Sequence, residues 1–182
     1  LGRLYDSRMI RGSSWQTSQY QNTKGAIMRK NLNNDQIVGA ALRGEDAVTK
    51  SGNMSTDAYR VGFGRLIPYQ GQLPKPWVSV LGEAFRAGRV SQVIYSYSTP
   101  IAWLDRDYGW IIPDVSYSPT TSTKHQSQLY RLNGRHISAP WDATPEDMRR
   151  VLTGELVFVT KGYGSSRAFT GTIPGPNYVE GA

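Results

Sequence analysis

Apolar residues along this chain come in short groups, and their rhythm changes from one stretch to the next. Residues 1–31 sustain no period and are rich in Ser, Gln, Thr, Asn and Arg. Such a segment is expected to be disordered or to borrow order from a partner. The first periodic stretch predicts a helix over 34–43. Asn33 and Gln36 stand three apart, as a capping pair does, and Ile37, Val38, Ala41 and Leu42 form a stripe closed by Gly44. Residues 44–76 are turn-rich, with Gly52-Asn53, Gly62, Gly64, Pro68, Pro74 and Pro76. A second helix is expected over 77–87, with Val78, Leu81 and Phe85 on one face and Gly88 as the stop.

The period then drops to two. Val93, Tyr95 and Tyr97 alternate with Ile94, Ser96 and Ser98, which predicts a strand. Ile101–Leu104 and Trp110–Ile112 flank the polar run Asp105-Arg106-Asp107-Tyr108-Gly109, a hairpin pattern. Pro100 and Pro113 lack a ladder donor and are expected at edges or bulges. A third helix is expected to start around Thr121–Thr123 and run to about Arg131. The fourth has the fullest signal: Thr144 as cap, Pro145 in first place, Glu146 and Asp147 at the positive end, Met148, Val151 and Leu152 inward, Gly154 as stop. Leu156–Thr160 and Arg167–Ile173 predict a second hairpin.

The expected fold is therefore α+β: a small mixed domain of about four short helices and two antiparallel hairpins, preceded by a basic N-terminal arm. The arm covers 1–31, the single domain 32–173, and an irregular tail 174–182. Leu42-Arg43-Gly44-Glu45 ahead of Val48-Thr49-Lys50 is echoed by Leu152-Thr153-Gly154-Glu155 ahead of Val159-Thr160-Lys161. A helix stopped by Gly before a strand generates that likeness without duplication.

Charge sharpens the picture of the arm. The net charge is +7, and the first 31 residues carry Arg3, Arg8, Arg11, Lys24, Arg29 and Lys30 against Asp6 alone. The remainder is close to neutral. Such an arm suits nucleic acid or an anionic surface, although basic residues also simply keep a small protein soluble. Trp15 and Tyr20 beside Arg8 and Arg11 could stack on and clamp a single strand. There are no cysteines, which removes disulfides, thiolate metal sites and cysteine nucleophiles, and fits a reducing compartment. No apolar run is long enough to span a membrane, and no secretory leader pattern is present.

The densest chemistry lies in Tyr95–Trp103 and Tyr117–Gln126. One of Thr120, Thr121, Ser122 and Thr123 is expected to cap the third helix, and Thr123 with Gln126 has capping-box spacing. His125, Leu129 and Leu132 share one helical face, so the imidazole is expected inward, bonded to a hydroxyl or carbonyl of the Tyr95–Ala102 strand. The alternative is an anion site at the helix start, built from Tyr97, Thr99, Thr120, Thr121, Ser122, Lys124 and His125. The capping reading is preferred.

Tyr-Ser-Tyr-Ser-Thr-Pro-Ile-Ala at 95–102 and Tyr-Ser-x-Thr-Thr-Ser-x-Lys-His-Gln at 117–126 resemble a module of small uncharacterised bacteriophage proteins, those of actinobacterial phages above all. Asn34–Val38, Ala41–Gly44 and Asn53–Ser55 are similar to the leading half of the same proteins. The resemblance covers 32–57 and 93–131, with 58–92 as an insertion and 132–173 as an added helix and hairpin. It implies a phage or prophage origin and transfers no catalytic residue.

Other candidates are weaker. Asp105, Asp107 and Asp114 could hold a hard cation, but Asp and Gly in a hairpin loop are usually turn chemistry. His136-x-Ser138 resembles half of a two-histidine phosphoesterase signature whose other half is missing, and Gly162-x-Gly164 lacks phosphate-loop context. Two histidines, no thiol and no evident carboxylate pair argue against an enzyme, and no cofactor or metal is implied. The expected function is a phage accessory protein that binds inside the host cytoplasm. Nucleic acid is the first candidate partner. A protein–protein role, as virion component or inhibitor of a host factor, is the alternative.

Overall fold

The computed structural model describes residues 29–59, 70–161 and 168–179. Seven strands form one sheet in which spatial order follows chain order. They are β1 (Arg29–Leu32), β2 (Ala47–Thr49), β3 (Met54–Ala58), β4 (Val90–Ser96), β5 (Thr99–Asp105), β6 (Gly109–Pro113) and β7 (Arg135–Ile137). The four central joins, β2 through β6, are antiparallel, and the outermost pairs β1–β2 and β6–β7 are parallel. A parallel pair needs a crossover. Helix α1 (Asn34–Leu42) supplies the first, and an irregular helical segment, a π turn at Thr121–His125 running into a 3-10 helix at Gln126–Leu132, supplies the second.

Both crossovers pack on the same face. Ile37, Val38, Ala40 and Ala41 of α1 and Leu129 and Leu132 of the irregular segment share one core with Ile94, Ile101, Ala102, Trp110 and Ile112. The opposite face is covered by α2 (Lys75–Arg86) and α3 (Pro145–Thr153). Their Trp77, Leu81, Phe85, Met148 and Leu152 pack on Val93, Tyr95, Trp103 and Ile111. Trp77 meets Trp103 edge-on at 5.9 Å. Successive residues of β4 and β6 thus serve two cores, which is why these strands are buried along almost their whole length although β4 carries Ser91, Gln92 and Ser96. Strands β8 (Leu156–Lys161) and β9 (Ala168–Pro174) form a separate antiparallel hairpin after α3.

Several expectations need correction. The first hairpin, 99–113, is only the middle of a seven-stranded sheet. The sequence-based reading misses β1, β2, β3 and β7 because they are short and, β2 apart, largely polar. Tyr97 lies outside the strand, since β4 ends at Ser96 and turns back through Tyr97-Ser98. Helix α2 begins at Lys75, so Pro76 sits within its first turn, and Trp77 and Val80 are buried on its inner face. Leu42 is 52% exposed while Ala40 is fully buried, because α1 approaches the sheet closely through alanines.

The ends of α1 and α3 match the signals in the sequence. Thr144 accepts from the Asp147 amide at 3.1 Å, and the Asp147 carboxylate accepts from the Thr144 amide at 3.0 Å. The Thr144 hydroxyl, which donates to the same carboxylate at 2.7 Å, and then the Thr144 amide hold the Asp147 carboxyl below its usual range. Gly44 (φ 69°) and Gly154 (φ 81°) let the next amides, Glu45 and Glu155, reach back to the Ala40 and Arg150 carbonyls at 3.0 and 2.8 Å. The same left-handed helix stop before a strand therefore produces the internal echo. Arg135 of β7 donates to the Leu152 and Val151 carbonyls at 2.6 and 2.9 Å, tying the sheet edge to the negative end of α3. Among the described residues no helix is long and apolar enough to cross a membrane.

Candidate functional site

The irregular segment begins where Ser118, not one of the residues 120–123, caps it. The Ser118 hydroxyl accepts from the Thr121 amide at 3.4 Å, and its carbonyl accepts from the Ser122 amide at 2.9 Å. The helix therefore starts before Thr121. Thr123 lies within it, donating its hydroxyl to the Pro119 carbonyl at 2.6 Å, and the Gln126 side chain donates to the Val115 carbonyl at 3.1 Å instead of closing a capping box. Ser122 accepts from the Tyr117 amide at 3.2 Å. Most hydroxyls of this stretch are thus occupied by local backbone or by one another.

From the exposed Ser118 a chain of polar groups runs inward through the buried Thr121, Ser96 and His125. Ser118 donates to Thr121 Oγ1 at 3.2 Å, Thr121 and Ser96 hydroxyls meet at 2.9 Å, and Ser96 Oγ meets His125 Nδ1 at 2.7 Å. Ser96 closes β4, so this chain ties the crossover segment to the sheet. With Ser118 donating inward, the natural sense has Thr121 donating to Ser96 and Ser96 donating to Nδ1, which leaves the neutral ring's proton on Nε2. His125 is fully buried, and its Nε2 has no hydrogen-bond partner. Burial, with the neighbouring Lys124 charge, holds its pKa below the ordinary imidazole value. The Tyr117 hydroxyl is likewise buried without a partner, and its pKa is raised by burial.

Tyr97 sits over this cluster, its ring 5.8 Å from that of His125. It has φ 54°, and its amide donates to the Asn53 carbonyl at 2.7 Å. Positive φ at the first of two turn residues is the type II′ pattern, where glycine is the usual occupant. Thr99 accepts from the Gln72 amide at 3.0 Å. A π turn, a seven-residue 3-10 run and a left-handed Tyr therefore converge on one spot, as local irregularity does at functional sites. Tyr97→Gly is expected to stabilise the fold by about 1 kcal/mol through relief of this strain, read by chemical denaturation. Destabilisation would show that the ring's contact with His125 outweighs the strain.

A second feature escaped sequence reasoning. A cleft of about 680 Å³ opens at the carboxyl ends of the parallel strands β1 and β2, lined by Leu32, Asn33, Asn34, Asp35, Thr49, Lys50, Ser51 and Gln128. The carboxyl ends of parallel strands are where open sheets with crossover helices take ligands. Gln36 accepts from the Asn33 amide at 2.8 Å at the start of α1. Asn34 donates to the Lys124 carbonyl at 3.3 Å, so the cleft adjoins the irregular segment. The tracts Asn33-Asn34-Asp35 and Thr49-Lys50-Ser51 were visible, but only the pairing of β1 with β2 brings them together.

Of the arm candidates, Arg3, Arg8, Arg11, Trp15, Tyr20 and Lys24 lie outside the described residues, as does Gly162-x-Gly164. Arg29 and Lys30 open β1. Of the cation candidates, Asp105 and Asp107 converge on one arginine, while Asp114 bonds a serine after β7. Asp105 is held by Arg89 Nε at 3.2 Å, Asp107 lies 3.4 Å from the same atom, and Asp114 accepts from Ser138 at 2.7 Å. An arginine occupies the place proposed for a metal, and among the described residues no three His, Asp or Glu cluster as ligands. His136 is exposed on β7.

Fold and site together define a layered mixed α/β protein with helices on both faces of its sheet. Residues 17–139 match a family of unknown function, DUF8033, and the chain belongs to that family. The match takes in all seven strands and stops before α3 and the β8–β9 hairpin. No curated protein and no solved structure matches the chain.

Proposed function

We propose that this is a non-enzymatic phage accessory protein that binds nucleic acid inside the host, with the basic arm as its principal contact. The observation that carries the reading is the charge distribution: six basic residues against one acidic in residues 1–31, ahead of a nearly neutral body. The last residues of the arm, 29–31, belong to β1 at the edge of the sheet. Beyond β1 lies the cleft, whose Asn33, Asn34, Lys50, Ser51 and Gln128 offer donors suited to phosphate and sugar oxygens. Cationic arms supply salt-dependent affinity by releasing counterions from the nucleic acid. Replacing Arg3, Arg8 and Arg11 together by Ala should therefore reduce the slope of log affinity against log salt by about 2–3. Titrating a labelled oligonucleotide at several salt concentrations checks this. An unchanged slope would remove the arm from the interface.

One observation favours a protein partner as the second reading. Every residue of β9 is exposed, and Val157, Phe169 and Ile173 stand in the open on the hairpin. Leu156 and Phe158 anchor the base of the hairpin on the α2–α3 core, but nothing among the described residues covers its outer apolar side chains, so a partner surface, in a virion or on a host factor, would suit it. Pull-down from infected cells, read for both protein and nucleic acid, separates the two.

A further inference from the structure

We propose that His125 is a proton-sensitive latch: neutral, it holds the irregular helical segment against β4, and protonated, it releases that segment and with it the Gln128 wall of the cleft. The polar part of the contact between segment and strand runs through Ser96, Thr121 and the His125 ring, while Leu129 and Leu132 seat the second half of the segment in the core it shares with α1 and Ile94. When a second proton arrives, the hydroxyl chain can turn round. Nδ1 would donate to Ser96, Ser96 to Thr121 and Thr121 to Ser118, which is exposed and can hand its hydrogen to water. No hydrogen bond of the chain is lost.

What cannot be accommodated is the charge. The ring is fully buried, and its Nε2–H already lacks an acceptor. Strand β4 turns no ionisable side chain toward it: the Tyr95 hydroxyl lies in the opposite core, bonded to that of Tyr59 at 2.7 Å, and Asp57 of β3, paired with Val93, shares that far face. The segment itself contributes two further cations, Lys124 and Arg131. The turn contributes the Tyr97 phenol and the approach to the helix the neutral Tyr117 hydroxyl. Helix α1 offers Asp35 alone, already 4.0 Å from Arg131, and on β5 the only acid is Asp105, held by Arg89. A buried imidazolium without a carboxylate is relieved only by reaching water.

The direction of the response follows. In the released segment the ring titrates near its ordinary value of about 6.5. In the docked segment burial holds the pKa lower. The released form therefore takes the proton first as pH falls. Stabilisation is full above about pH 6.5 and is lost below it, down through the docked-state pKa. The two irregular helix types and the strained Tyr97 turn make this the part of the sheet's covering with least regular backbone to resist release.

Amide hydrogen exchange on the full chain between pH 7.5 and 5 tests the latch. After allowance for intrinsic exchange, protection of 119–132 should fall by up to about tenfold per pH unit below 6.5, while protection of α3 holds. His125→Gln, which cannot take a charge, should abolish that dependence, and His136→Gln should keep it. Should His125→Gln fail to fold, ring proton resonances of the wild-type chain decide alone. Titration of His125 below 6.5, in step with the loss of protection, is the expected result. Titration at or above the ordinary imidazole value, protection indifferent to pH, or a dependence that survives in His125→Gln overturns the proposal.

Discussion

Trp103→Ala should destabilise the protein by about 3–5 kcal/mol, the range for removing a large aromatic from a closed core. Trp103 is fully buried on β5, a central strand of the sheet, and faces Trp77 of α2 edge-on. Truncation removes the packing partner of the helix that covers this face, and the neighbouring strands on either side prevent β5 from closing the gap. Its indole N–H has no hydrogen-bond partner, so Trp103→Phe, which deletes that group while keeping a ring, should cost much less. Urea unfolding of the two variants measures the difference. A loss below about 1 kcal/mol for the alanine variant would mean that the α2 layer packs more loosely than its contacts imply.

The second large effect is expected at Arg89, which sits between Asp105 and Asp107 in the position first considered for a metal. The Asp105 carboxylate is fully buried, and Arg89 Nε lies 3.3 and 3.2 Å from its two oxygens. Asp105 also accepts from the Asp107 amide at 2.9 Å, so it shapes the β5–β6 turn. Removing only the cation leaves a buried negative charge, and Arg89→Ala should cost about 3 kcal/mol. Adding Asp105→Asn to that variant should recover part of the loss, because the amide carries no charge. A loss within about half a kcal/mol would instead put the pair among surface ion pairs, which contribute little.

How much of this was legible in the sequence depends on whether the cause is local. The α3 cap was legible because Thr144, Pro145, Asp147 and Gly154 act within one turn of the chain. The β5–β6 hairpin was legible for the same reason. Strand β3 was not, because Met-Ser-Thr-Asp-Ala gives no period. Its Thr56 is fully buried only because the Val93 carbonyl and Gln92 Nε2, at 3.0 and 2.6 Å, satisfy it from the neighbouring strand. Strand β1 is equally silent, since its pairing with β2 lies across α1. The His125 placement followed from its spacing with Leu129 and Leu132, and Ser96 lay within the hydroxyl-rich strand. The cleft beside α1 could not be seen, because it exists only where two undetected strands end side by side.

The nucleic-acid reading is tested most directly by titrating a fluorescent single-stranded oligonucleotide with the full chain at about 50 and about 200 mM salt. The account predicts clear binding at the lower salt and a loss of roughly one to three orders of magnitude at the higher, as several phosphate contacts require. Absence of binding at low salt, or an affinity that salt leaves unchanged, would contradict it.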